Sequence, residues 1–400
     1  PDTARQQWDS RIEALRAAGQ PLTPQAFQPG EIPRRDNAEQ LLRDVHETYH
    51  EAWPEWPSPT MLPIEDPSGV LTADEREDLA RWWPRLRPLY ERLAEAAARP
   101  LFVATTDDPL GNEVIPWIQH AGRLWSLRAR YTPADAPRMA EQNLRVALAW
   151  RPRNHIEVMV RWGHFVLAAD TLHEAAQAGQ VDFVAARERL APFLVQAETG
   201  WLDQLRLALR AQRACIVRYV AWCTGHEPVP EEVRDLDEFA DDSRLASRPR
   251  MYREVLRELD RVEQQLRSIQ GEADLRSATL QTGSDHPAVF YAQGFRGALL
   301  RTLATLRLTR VAHVQTEEAA SGVALDDDLL AYADRCEGGL PRDPYTARNF
   351  RWEKHSRGWL LAVDAASADP ALRTVGFFCD VQPDDASLLE DGLAWILEDR

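Results

Sequence analysis

From residue 116 to residue 223 the chain reads as one helix after another, joined by connections of only a few residues. Such short joints force consecutive helices to lie antiparallel. The apolar residues recur at helical spacing in MAEQNLRVALAW, in HIEVMVRWGHFVLAADTLHEAAQAG, in DFVAARERLAPFLVQA and in WLDQLRLALRAQRACIVRYVAWCTG. Gly179 and Gly225 stand where helices end. No fixed repeat period runs through this stretch, so it is not a TPR or HEAT array with a readable consensus.

The same periodicity extends outward. Trp8, Ile12 and Leu15 mark a first helix over 3–18. Asp36, with Glu39 three residues on, reads as the N-cap of a second, which Pro54, Pro57, Pro59 and Pro63 end. Thr72 and Glu75 form a capping box that opens a third, with a kink or restart expected at Pro84 and Pro88. Residues 101–115 read as a short strand or an irregular loop. Further helices are expected over 249–270 and 288–320. After Gly322 the pattern changes. A short capped helix, ALDDDLLAYADRC, precedes two strands in NFRWEKHSRGWLLAVDA and a third in TVGFFCDV; ASLLEDGLAWILED reads as a final helix. The expected fold is mainly α, built of antiparallel helical hairpins, with a small C-terminal antiparallel sheet. We divide it into an N-terminal Trp- and Pro-rich helical region (1–115), a helical-hairpin body (116–322) and an α+β module (323–400).

Charge narrows the function classes. The formal net charge is −16, and acidic chains are poor ligands for nucleic acid or anionic lipid. Lys354 is the single lysine. No run of 18 apolar residues is present, so no transmembrane segment is expected. The chain opens at Pro1 with no methionine, so the lack of a leader establishes no compartment. Cys215 and Cys223 are eight apart on a helix, too far to bond each other. Cys336 and Cys379 flank the strand region and form the candidate disulfide, if the compartment is oxidising.

The most chemical-looking segment is His46-Glu47-Thr48-Tyr49-His50, which fits H-E-x-x-H. On a helix this spacing sets two imidazoles one turn apart beside a glutamate, as in zinc peptidases. In that reading His46 and His50 hold zinc and Glu47 is the general base. The flanks argue otherwise. Asp44 and Glu51 mark a solvated helix, and Glu75, the nearest third ligand, belongs to a capping box. His155, His164 and His173 are nine apart, so one ion cannot take all three. Trp53, Trp56, Trp82, Trp83, Trp117 and Trp125 crowd the first third, near Asp107, Asp108 and Glu113. Aromatic residues beside acids line sugar-binding grooves, but tryptophan at helical spacing is the mark of a core. Asp326, Asp327 and Asp328 suit a helix N-terminus.

The stretch from Leu300 to Val363 contains Leu340-Pro341-Arg342-Asp343-Pro344-Tyr345-Thr346 between a short helix and a hairpin. It resembles the tails of a group of uncharacterised, largely helical bacterial proteins, most of them expected to be exported. Those tails resemble the C-terminal part of type II secretion pseudopilins, which carry an LPxDPxG-type loop. The group usually has glycine where this chain has Ala347, so the turn is expected to differ. The loop itself reads as a rigid connection, stiffened by two prolines and capped by Asp343; the alternative is a calcium site at Asp343. Arg342, Arg348, Arg351 and Arg357 give the module a basic face for an acidic protein partner.

The expectation is therefore a non-enzymatic scaffold that binds another protein, without a cofactor, in the periplasm, the envelope or outside the cell. A cytoplasmic protein is the alternative location. The competing functions are a zinc hydrolase using His46, His50 and Glu47, and a carbohydrate-binding protein or glycoside hydrolase.

Overall fold

The structure is a computed structural model that describes residues 3–23, 26, 32–52, 71–104, 114–153, 155–177, 183–229, 249–277, 287–320, 328–336, 339–355, 358–364 and 394–397. It is mainly helical. The helices are α1 (Thr3–Ala17), α2 (Glu39–Ala52), α3 (Ala73–Ala98), α4 (Val114–Tyr131), α5 (Ala136–Ala149), α6 (His155–Gln177), α7 (Phe183–Thr199), α8 (Trp201–Cys223), α9 (Pro249–Ser268), α10 (Glu272–Ser277) and α11 (Pro287–Ala320). The described strands are β1 (Arg351–His355), β2 (Gly358–Ala362) and β3 (Ala394–Leu397). No described helix is long and apolar enough to cross a membrane.

Among the described residues, buried side chains form two clusters. One joins α2, α3 and α4 to part of α5 through Leu42, Val45, Leu93, Ile118, Trp125 and Trp150. The other gathers α1 and α5 to α9 around α11, and takes in the C-terminal sheet. Helix α6 lies against α4, α5, α8 and α11, and α11 also touches α7, β2 and β3. Such enclosed helices are apolar on every side rather than striped. Leu299, Leu300, Leu303, Leu306, Leu308 and Val311 of α11 are all buried. By contrast α9 has a clean stripe of Met251, Val255, Leu259 and Val262, as a surface helix should.

Local chemistry explains the element ends. Gly225 takes φ 72° and closes α8, its amide donating to the Trp222 carbonyl. At the start of α2 the expected cap shifts by one residue. Asp36 sits in a 3₁₀ turn, and Asn37 Oδ1 accepts from the Glu39 amide (3.2 Å) and the Val103 amide (3.0 Å). Asn37 Nδ2 donates to the Val103 carbonyl (2.8 Å). An amide can accept and donate at once; a carboxylate cannot. Of the segment expected as a strand or loop, Leu101 bridges Asn37 and Phe102 bridges Trp150; residues 105–113 lie outside the described residues. Helix α3 begins after Thr72 as its capping box requires, and runs on through Pro84 and Pro88. Both prolines are exposed and four residues apart, so the carbonyls that lose their amide partners face water.

The sheet has order β1-β2-β3 with both pairs antiparallel. Leu360, Leu361 and Ala362 of the central strand are buried on both faces. Trp352 and Trp359 stack at 4.7 Å, with Tyr332 edge-on to Trp352. The third strand is a correction: Ala394–Leu397, expected as helix, pairs with Trp359–Ala362. Pairing with a buried apolar strand overrides the local helical pattern. The segment TVGFFCDV lies outside the described residues.

The loop before the sheet turns at Ala347, whose φ is 62°. This is the left-handed region that glycine occupies without strain and that costs other residues about 1–2 kcal/mol. The residue differs from glycine, yet the backbone takes the sign a glycine would allow. Ala347→Gly is therefore expected to raise stability by about 0.5–1 kcal/mol, after the entropy that glycine adds to the unfolded chain. A urea midpoint below that of the parent chain would contradict this.

Candidate functional site

Helix α2 puts Leu42, Val45 and Tyr49 into the core and leaves Glu47, Thr48 and Glu51 in water. His46 lies between these faces, half-buried. Its ring stacks on His120 of α4, with centroids 4.9 Å apart and an interplanar angle of 19°. The two Nδ1 atoms are 3.0 Å apart. That is hydrogen-bond distance, and the tautomers set which Nδ1 donates and which accepts. Tyr49 packs on the His120 ring at 4.4 Å. Burial pushes its phenol up to about 12, with the Arg123 charge and hydrogen bond pulling the other way. So the phenol stays protonated at neutral pH.

Asp44 is half-buried rather than free in solvent. It accepts from Gln40 at 2.7 Å, and Arg92 approaches to 3.8 Å. The side chains of His50 and Glu75 lie outside the described residues. Among the described residues no group of three or more His, Cys, Asp or Glu side chains is gathered for a metal. His120 is the participant that sequence reasoning missed. It lies 74 residues from His46, and no local spacing links the two.

The histidines of α6 have other work. His164 is 4% exposed, and its Nδ1 lies 2.7 Å from Asn143 Oδ1. The bare Cα of Gly122 lets α4 close on it; a methyl there would sit 2.6 Å from the imidazole. His173 is also buried. Burial holds both imidazoles down to about 4, hence neutral. The side chain of His155 lies outside the described residues.

Tryptophans of the first third are packed with arginine and tyrosine. Trp125 is buried and donates to Gln142 at 3.0 Å. Trp83 stacks between Tyr90 and Tyr131 under Arg128, and Arg43 covers Trp117. Burial raises the Tyr90 phenol, which donates to the Leu124 carbonyl. Trp53, Trp56, Asp107, Asp108 and Glu113 lie outside the described residues.

In the C-terminal module Asp343 is fully buried. Its carboxylate accepts from the Tyr345 amide (2.8 Å), the Thr346 hydroxyl (3.1 Å) and the Asp364 amide (3.0 Å). Burial raises its pKa, and those donors pull it back. The Asp343 oxygens thus have protein donors rather than an open face for calcium. Arg307 of α11 donates to the Arg342 carbonyl (2.9 Å) and to Glu198 and Glu272; Arg276 donates to the Pro344 carbonyl (3.3 Å). The loop is held from inside and from below.

Of the basic face, Arg342 and Arg348 are exposed. Arg342 Nη1 donates to the Ala347 carbonyl (3.2 Å) and Arg351 lies 3.6 Å from Glu353. Arg357 lies outside the described residues. Asp328 caps the 3₁₀ turn Leu329–Tyr332 through the Leu330 amide; Asp326 and Asp327 are outside the description. Cys336 is buried and its thiol is pushed up by burial. Its suggested partner Cys379 lies outside the described residues. Burial also pushes the Cys215 thiol up to about 12, with Glu157 adding to the rise, so this thiol is a poor nucleophile.

No family model, no curated protein and no solved structure matches the chain.

Proposed function

We propose that the chain is a non-enzymatic helical scaffold that binds another protein through its C-terminal module, in the cell envelope or outside the cell. The observation that carries this reading is the loop 341–348. Asp343 locks it internally, Arg307 and Arg276 fasten its carbonyls to the helical body, and Arg342 and Arg348 remain on its exposed side. A loop fixed before binding loses little entropy on binding, and outward guanidiniums favour an acidic surface. The resemblance of this stretch to pseudopilin-like tails supports the envelope as its place.

The test uses the full chain as bait against an envelope extract of the source cells. Arg342→Glu with Arg348→Glu is expected to abolish retention of the partner while leaving the melting temperature unchanged. Retention unaffected by the double charge reversal would refute the assigned surface.

A second reading rests on the contact between His46 and His120. In a zinc hydrolase these two, with His50, would be ligands and Glu47 the general base. Stoichiometric zinc lost on His46→Ala, with peptidase activity lost on Glu47→Gln, would replace the scaffold reading.

A further inference from the structure

Between α7, α11 and the turn at 333–336 lies a cavity of about 370 Å³. Arg187 and Glu188 of α7, Arg310 and His313 of α11, and Arg335 and Cys336 of the turn line it. Three arginines and one glutamate thus line a concave surface, in a chain whose formal net charge is −16. That local reversal of sign is the first observation.

The second is how the wall is held. Arg187 Nη2 donates to the Arg335 carbonyl at 2.9 Å and ties α7 to the turn. Arg310 pairs with Glu198, whose other oxygen accepts from Arg307, so one carboxylate is shared by two guanidiniums. His313 is 1% exposed and neutral; burial and the Arg187 charge hold it down to about 4. The charges of Arg310 and Arg187 also reach the Cys336 thiol, where they oppose the effect of burial. The lining therefore sets three arginines against Glu188, with Glu198 offsetting Arg310 from behind, beside a neutral imidazole.

A phosphate dianion presents oxygens in several directions, and each can meet a planar guanidinium fork. A carboxylate presents two oxygens in one plane and fits three forks less well. The volume lies within the range of small-molecule sites, larger than a bare phosphate needs. We propose that this cavity binds a phosphate group, free or carried on a small organic molecule, through Arg187, Arg310 and Arg335.

The experiment uses the reduced full-length chain and inorganic phosphate, with chloride at equal ionic strength as reference. Phosphate is expected to raise the melting temperature saturably. Arg335→Gln, at an exposed position, is expected to weaken phosphate binding by about tenfold, with the melting temperature in chloride unchanged. Arg187→Gln is the second variant, should the first be poorly folded. Glycerol 2-phosphate binding more tightly than inorganic phosphate identifies a carried group; equal binding identifies the free ion. Phosphate acting no more strongly than chloride overturns the proposal, as does wild-type affinity in both variants. Succinate matching phosphate through the same arginines removes the assignment to phosphate.

Discussion

Acidification from pH 7 to pH 4.5 is expected to destabilise the fold by several kcal/mol, through three buried histidines. His164, His173 and His313 are held down to about 4 by burial, against about 6.5 in an unfolded chain. Between those values the unfolded chain takes up protons that the folded chain refuses. Stability is then fully present above pH 6.5 and lost as pH falls toward 4. Each histidine accounts for about 2–3 kcal/mol by pH 4.5, at about 1.4 kcal/mol per pH unit. Glu258 and Asp343, whose carboxyls are raised by burial, work in the opposite direction over the carboxylate range. Urea unfolding at fixed pH values measures the slope, and His164→Gln should reduce it by about one proton. A flat profile between pH 7 and 4.5 would refute the burial of these imidazoles.

The second large effect is expected at Arg307. This guanidinium is 6% exposed. It bonds Glu198 of α7, Glu272 of α10 and the Arg342 carbonyl of the loop. Its pKa is raised: burial works against the charged form, and the two carboxylates outweigh it. Arg307→Ala would leave Glu198 to Arg310 alone and Glu272 to Arg276 alone, and would strip the cation that joins them. Breaking a buried pair in this way costs about 3–5 kcal/mol. The same substitution frees the loop carbonyl, so amide exchange over 341–348 should quicken along with the fall in urea midpoint. If Glu198→Gln and Glu272→Gln accompany the alanine, a large part of the loss should persist, since Arg310 and Arg276 then lack their carboxylates. A single substitution that cost under about 1 kcal/mol would show the network to be solvated.

The helices were legible because burial repeats every 3.6 residues, and in α8, α9 and α11 the pattern and the element coincide. What escaped depends on partners distant in the chain. Asp36 has the right type for a cap, but Asn37 can also bind both polar groups of Val103, which a sequence window around α2 does not contain. Ala394–Leu397 looks helical until Trp359–Ala362 offers it a buried strand. Flanking charges made the His46 helix look fully solvated, whereas His46 turns inward onto His120. The capping role of Asp343 was readable from Leu340-Pro341-Arg342-Asp343-Pro344, because its acceptors serve residues two and three positions on. Its third donor, the Asp364 amide, was not.

Helix α1 has a consequence in time. Its buried face of Trp8, Ile12 and Leu15 rests on α9, and Arg11 meets Asp260 at 3.3 Å, 249 residues later in the chain. During synthesis at about 5–20 residues per second, those apolar side chains wait on the order of 10–50 s before their partner helix exists. For that interval the apolar face of α1 stays open to other apolar binders while the segments up to α9 are made.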